Sequence, residues 1–81
     1  MPSTSSLDLT GIAWPVCLLK FKQNLLALKA GQRLEVLVQD PDVADHIVMI
    51  VNRSEDRVID SRMEGERFRL CIQKGKGSDH Q

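Results

Sequence analysis

Cys17 is the side chain whose type and position best suit nucleophilic chemistry in this sequence. It follows Pro15 by two residues, and the fixed backbone of a proline favours the first position of a helix. A thiol in a first helical turn lies near free backbone amides and the positive end of the helix dipole, which lower its pKa. Lys20, one turn further on, would add to this effect. Cys17 is therefore the candidate catalytic residue, and the alternative is that it faces inward as a small apolar side chain.

Trp14 is the only tryptophan and stands directly before the predicted helix, between Ala13 and Pro15. An indole in this place either folds back over a small core or stays partly exposed. In the second case it would be suited to anchor a protein partner, since tryptophan often dominates such contacts. Pro15 and Lys20 would belong to the same partner-binding surface.

Cys71 is predicted in the last strand, on the side of Arg67, Arg69 and Gln73, where a structural or incidental role is expected. A bridge to Cys17 would require the two to lie close together. Zinc sites usually show paired ligands at short spacing, and no Cys-x-x-Cys or His-x-x-x-His pair occurs here. We therefore predict no metal site among the scattered Cys17, His46, Cys71 and His80.

The composition limits the classes of function. Eleven basic residues balance eleven acidic ones, which argues against a strongly basic nucleic-acid binder. No apolar run approaches the roughly 20 residues of a membrane span. The start lacks the charged and apolar regions of a secretory signal, so we expect a cytoplasmic protein with reduced thiols. We expect a monomer with protein partners, without a cofactor, a membrane or direct nucleic-acid contact.

The spacing of apolar residues predicts a strand and then a helix. Leu7 and Leu9 alternate with polar residues in a short strand that ends at Gly11. The helix would begin at Pro15 and end at Gly31. Its buried stripe would comprise Leu18, Phe21, Leu25 and Leu28, widened by Leu19 and Leu26.

The second half of the sequence has the pattern of a strand, a helix and a hairpin. Residues 33–39 alternate between apolar and polar, and Asp40-Pro41 is a strong helix start. Residues 57–63 and 67–73 would be strands joined by a turn at Glu64-Gly65-Glu66. The stripe of the second helix would comprise Val43, Ile47, Ile50 and Val51.

These elements predict an α/β fold. Polar alternation in three strands indicates that one face of the sheet is solvated. Both helices should therefore cover the other face, giving a two-layer α/β sandwich of order βαβαββ with a four-stranded mixed sheet. We expect a flexible segment at 1–6, a single domain at 7–75 and a disordered tail at 76–81. The core would contain Leu18, Phe21, Leu25, Leu34, Val36, Val43, Ile47, Phe68 and Leu70.

From residue 7 to residue 75 the chain resembles the TusA/SirA family of small sulfur-carrier proteins. The resemblance depends on several short features at the right spacing, none of which is unique to the family. They are Leu-Asp-Leu-Thr-Gly at 7–11, Trp14-Pro15, Lys-Ala-Gly at 29–31, Asp40-Pro41, and a closing hairpin that ends in Lys74-Gly75.

The resemblance implies a function that depends on a residue absent here. Family members carry Cys-Pro-x-Pro at the start of the first helix, and that cysteine holds a persulfide passed between sulfurtransferases. The corresponding residues here are Trp14, Pro15, Val16 and Cys17, and an indole cannot form a persulfide. The family's Asp-Ile-Pro is replaced by His46-Ile47-Val48, which makes His46 a weak partner-binding candidate beside its simpler interpretation as a surface residue.

Two hypotheses follow for this divergent relative of the sulfur carriers. In the first, Cys17 is a displaced persulfide site in a sulfur relay. In the second, the protein is a non-catalytic module that docks a partner through Trp14 and the start of the first helix. An exposed, acidic Cys17 would favour the first hypothesis and a buried Cys17 the second. The resemblance also favours partial exposure of Trp14, because the matching family position must meet partner enzymes.

Overall fold

The computed structural model describes residues 4–75 and confirms the predicted order βαβαββ. The helices are α1 at Val16–Leu26 and α2 at Pro41–Asn52. The strands are β1 at Thr4–Asp8, β2 at Arg33–Val38, β3 at Arg57–Glu64 and β4 at Arg67–Gln73. The predicted α/β fold with a four-stranded mixed sheet is therefore confirmed.

The sheet has the strand order β1-β2-β4-β3. β1 and β2 are parallel and are joined through α1, whereas β4 runs antiparallel to both β2 and β3. The carboxyl ends of β1 and β2 therefore lie side by side, and each is followed by the start of a helix. This edge of the sheet is where the residues of interest come together.

One face of the sheet carries the core. Alternate residues of β2 and β4 are buried, and the register places Leu34 opposite Ile72 and Val36 opposite Leu70. The helices cover this face with a second layer of buried apolar side chains and also contact each other. That layer comprises Cys17, Phe21, Leu25, Val43, Ala44, Ile47 and Val51.

The start of α2 follows the expected capping chemistry. Asp40 has an extended backbone, and its Oδ1 accepts a hydrogen bond from the Asp42 amide at 2.9 Å. Pro41 occupies the first helical turn, where its missing amide hydrogen costs nothing. The β-branched residues Val43, Ile47 and Val51 are weak helix formers, but all three are buried. Packing against the sheet therefore outweighs local propensity.

The structure corrects several details. β1 begins at Thr4, so residues 4–6 lie in the strand rather than in a flexible segment, while residues 1–3 and the predicted tail at 76–81 lie outside the described residues. Leu19 and Leu26 do not widen the buried stripe of α1, because the sheet covers only one narrow side of this helix. Three further residues expected in the core or in a buried stripe are only half-buried, namely Leu18, Ile50 and Phe68.

Two adjacent leucines provide a test of how α1 is oriented. Leu25 is 6% exposed and packs in the core, whereas Leu26 is 77% exposed. We predict that Leu25→Ala lowers the free energy of unfolding by about 2–5 kcal/mol, since it removes buried methyl groups and leaves a cavity. Leu26→Ala should change it by less than about 0.5 kcal/mol. Urea denaturation measures both, and equal losses would show that α1 is rotated differently.

Candidate functional site

The segment between β1 and α1 is held by a local hydrogen-bond cluster. The side chain of Asp8 accepts hydrogen bonds from the hydroxyl of Thr10 and, at 2.9 Å, from its backbone amide. These bonds, the one from the hydroxyl first, hold the pKa of the Asp8 carboxyl below its ordinary value. Gly11 follows with φ of +79°, a conformation that favours glycine. The chain is thereby turned from the end of β1 toward Trp14.

Trp14 projects from the protein beside the start of α1. Its side chain is 59% exposed, which confirms the expected partial exposure. The indole makes an edge-to-face contact with His46 of α2, with ring centroids 6.2 Å apart and an angle of 66° between the planes. Aromatic pairs favour this arrangement. Two of the predicted partner-binding residues, one just before α1 and one in α2, are therefore neighbours.

His46 is oriented by its own helix. Its Nδ1 lies 2.8 Å from the backbone carbonyl oxygen of Asp42. A carbonyl oxygen can only accept a hydrogen bond, so Nδ1 carries a hydrogen and Nε2 is the acceptor in the neutral ring. This bond and the contact with Trp14 together fix the imidazole on the surface.

A cavity of about 310 Å³ opens beside Trp14, at the carboxyl ends of the parallel strands β1 and β2. Such ends are common ligand-binding places in α/β proteins, because helix starts and loops meet there. Trp14 and Cys17 both line the cavity. The remaining lining residues are Leu9, Gly11, Ile12, Val38, Gln39, Asp40 and Val43.

Cys17 points into the core rather than into solvent. Its residue is 1% exposed, and it continues the buried line formed by Phe21 and Leu25 along α1. The amides that were expected to favour its thiolate have other partners. The Cys17 amide donates to the Ala13 carbonyl at 3.0 Å, and the next two amides donate to the Pro15 carbonyl at 3.1 and 3.2 Å. The geometry favours an inert thiol.

Residues 5–74 match the family model described as sulfurtransferase TusA. The chain belongs to the TusA family. It is also 29% identical over 68 residues to the sulfur carrier protein TusA of Allochromatium vinosum. That alignment covers 84% of this chain and 90% of the other protein.

Pro15 and Lys20, the other two predicted partner-binding residues of this TusA-family protein, are not part of the contact between Trp14 and His46. Pro15 is exposed, and its carbonyl accepts hydrogen bonds from the amides of Leu18 and Leu19. Lys20 is exposed on α1 and does not line the cavity. Because Cys17 faces the core while Lys20 faces solvent, the predicted effect of this ammonium on the thiol has little geometric support.

Cys71 lies on the opposite face of the sheet from the helices, in register with Glu35 of β2. Burial raises the pKa of its thiol above the ordinary value, and the negative charge of Glu35 raises it further. Both cysteines are free thiols, and the sheet lies between them. Cys71 therefore has no part in the site beside Trp14.

The described residues 4–75 contain neither a metal-binding cluster nor a membrane-spanning helix. In this part of the chain, no group of three or more His, Cys, Asp or Glu side chains is arranged to hold a metal ion. Neither of the two helices has the length and apolar character needed to cross a membrane.

Sequence reasoning missed the contribution of β2 to the site. Gln39 and Asp40, which directly follow β2, line the cavity, whereas the sequence pattern indicates Asp40 only as a helix cap. The predicted topology could have indicated that these residues belong to the site, because the segments that follow two neighbouring parallel strands meet at one edge of a sheet. No local sequence pattern indicates the contact between Trp14 and His46, since it depends on how α1 and α2 are placed side by side.

We predict that Cys17 is protected from thiol reagents in the folded protein. In Cys71→Ser, where Cys17 is the remaining thiol, modification by a disulfide reagent should be at least about 100-fold slower than in denaturant, because the buried thiol reacts only when the structure opens. The control is Cys17→Ser, whose half-buried Cys71 should react faster and over a pH range shifted upward by its raised pKa. A rate for Cys17 similar to that of a free thiol would contradict the prediction.

We also predict that the indole is open to solvent. Trp14 is the only tryptophan, so fluorescence reports on it alone. Its emission maximum should resemble that of an exposed indole, and acrylamide should quench the folded protein nearly as well as the denatured one. Blue-shifted emission that resists quenching would show that the ring is buried.

Proposed function

We propose that this TusA-family protein acts in sulfur trafficking as a docking module that does not carry sulfur itself. It would bind a protein of a sulfur relay through Trp14, Pro15 and the start of α1. The observation that carries the proposal is an indole that is 59% exposed at position 14, where the resemblance places the family's reactive cysteine, while Cys17, the nearest thiol along the chain, is buried. Binding capacity is thus retained at a position that has lost its sulfur chemistry.

The chemistry of persulfide transfer supports this assignment. An acceptor thiolate must attack the outer sulfur of a donor persulfide. The sulfur–sulfur bond then breaks, and the donor cysteine leaves as a thiolate. This requires an accessible thiolate, which an indole does not provide and which a thiol with 1% exposure does not offer.

The surface around Trp14 has the character of a protein-binding site. Tryptophan supplies a large apolar area and loses little side-chain entropy when it becomes fixed, so it often contributes much of the binding energy. Val16 and Leu19 on α1 and Met49 on α2 are also exposed large apolar residues. A partner that covered Trp14 would also meet the rim of the cavity. The proposal includes a cytoplasmic monomer that binds protein partners and needs no cofactor.

One observation supports a second candidate function, in which Cys17 is a displaced persulfide carrier. Cys17 lines the cavity beside Trp14, so a rearrangement at the start of α1 would bring its thiol to the opening. That rearrangement would have to break the contacts of Cys17 with the core. Its free-energy cost makes this the weaker candidate.

Restoring the thiol at position 14 separates the two functions. We predict that Trp14→Cys gains one sulfur atom when it is incubated with a cysteine desulfurase and cysteine, because the family surface around this position is retained. The unsubstituted protein should gain none. Intact mass spectrometry before and after reduction measures the gain, and peptide mapping locates it.

Leu26→Cys is the matched control, since Leu26 is 77% exposed and lies at the opposite end of α1 from Trp14. It should be loaded much less than Trp14→Cys if docking, rather than exposure alone, directs the transfer. Sulfur on Cys17 of the unsubstituted protein would establish the displaced carrier instead. Equal loading at positions 14 and 26, or no loading at 14, would contradict docking at this surface.

A further inference from the structure

We infer that the cavity beside Trp14 receives a basic segment of a partner protein, in which an apolar side chain stands next to an arginine or lysine. The inference rests on the proposed docking function and specifies its partner chemistry. It begins from the cavity itself, whose lining combines polar groups with apolar side chains. The apolar side chains of this wall include Leu9, Ile12, Val38 and Val43.

The size and lining of the cavity suit one apolar side chain of a partner. Its volume of about 310 Å³ lies at the lower end of the range for ligand pockets, too small for a large cofactor. Asp40 is the charged residue in its lining, and Trp14 stands at its side. If a partner side chain enters the cavity, the partner residues next to it would lie against the indole of Trp14 on one side and the carboxylate of Asp40 on the other.

The α2 side of the cavity is acidic. Asp40 caps α2, and Asp42 and Asp45 follow within its first turns; all three are exposed. Asp42 and Asp45 are neighbours of His46 along α2. The His46 ring donates to the backbone carbonyl of Asp42 and contacts Trp14, and Asp45 directly precedes His46 in the chain. The ion pairs within residues 4–75 all lie on the sheet, between Arg62 and Asp60 and between Arg69 and Glu35 or Glu64. None of the three aspartates takes part in these ion pairs.

The exposed indole favours the same partner chemistry. Arginine commonly stacks on tryptophan, where the guanidinium is attracted to the face of the ring. A carboxylate beside that ring would add a charged hydrogen bond to the same guanidinium. Lys20 is exposed on α1, so the basic residue of the partner should lie toward α2. Because the chain has no net charge, the attraction is local and should weaken with salt.

Two synthetic peptides test the inference. The first is a capped hexapeptide of alternating leucine and arginine, and the second has glutamate in place of arginine. Titration of the full chain at low salt, followed by Trp14 fluorescence, gives the dissociation constants. We expect the arginine peptide to bind at least about tenfold more tightly than the glutamate peptide.

Charge-removing variants locate the attraction. The double variant Asp42→Asn, Asp45→Asn keeps the side-chain shape. It should weaken binding of the arginine peptide by roughly three- to tenfold, as expected for two exposed ion pairs. Glu55→Gln combined with Glu66→Gln makes the same change in net charge at exposed positions elsewhere and should leave binding unchanged. Circular dichroism verifies that both variants are folded.

The outcomes separate the inference from the proposed function. If both peptides bind equally well and Trp14→Ala abolishes binding in calorimetry, docking stands and the basic partner is wrong. Equal losses in the two charge variants would also overturn the inference, because the attraction would then come from net charge. If neither peptide perturbs Trp14, the inference falls, while sulfur loading of Trp14→Cys still tests the docking function on its own.

Discussion

The parallel pairing of β1 with β2 is the constraint on which the rest of the structure depends. Two parallel neighbours end at the same edge of the sheet, and each is followed by a helix that must cover the same buried face. The start of α1 and the start of α2 are therefore forced together. Trp14 meets His46 for this reason, and the cavity lies where the two helix starts leave the sheet.

The rotation of α1 about its axis decides which side chains can take part in chemistry. Phe21 is fully buried and sets that rotation, and positions four residues away on either side must share its environment. Cys17 and Leu25 are those positions, so the core that holds α1 in place also removes the thiol from solvent. Trp14 precedes the helix and escapes this constraint. The exposed indole and the buried thiol are thus different residues, Trp14 and Cys17.

The sequence predicted the fold well because its main signals are local. Alternation in β2 and β4 and the Asp40-Pro41 cap each specify an element without reference to the rest of the chain. Helical spacing specified α1 too, but it could not locate the centre of the buried stripe. The leucines at 18, 19 and 26 fit an amphipathic pattern as well as Cys17 does, and only packing against the sheet and α2 distinguishes them. The site depends on such packing, which is why its lining was predicted only in part.

The same separation explains how a TusA-family scaffold can be kept with an indole at position 14. Position 14 lies outside the core, so exchanging a thiol for an indole there should change the free energy of unfolding by less than about 0.5 kcal/mol. A substitution at Cys17 would instead disturb packing against Phe21 and the other core residues. Selection can therefore alter the chemistry of position 14 without altering the fold. What the scaffold continues to supply at that position is exposure, a neighbouring cavity and the acidic start of α2, and these are properties that a binding surface uses.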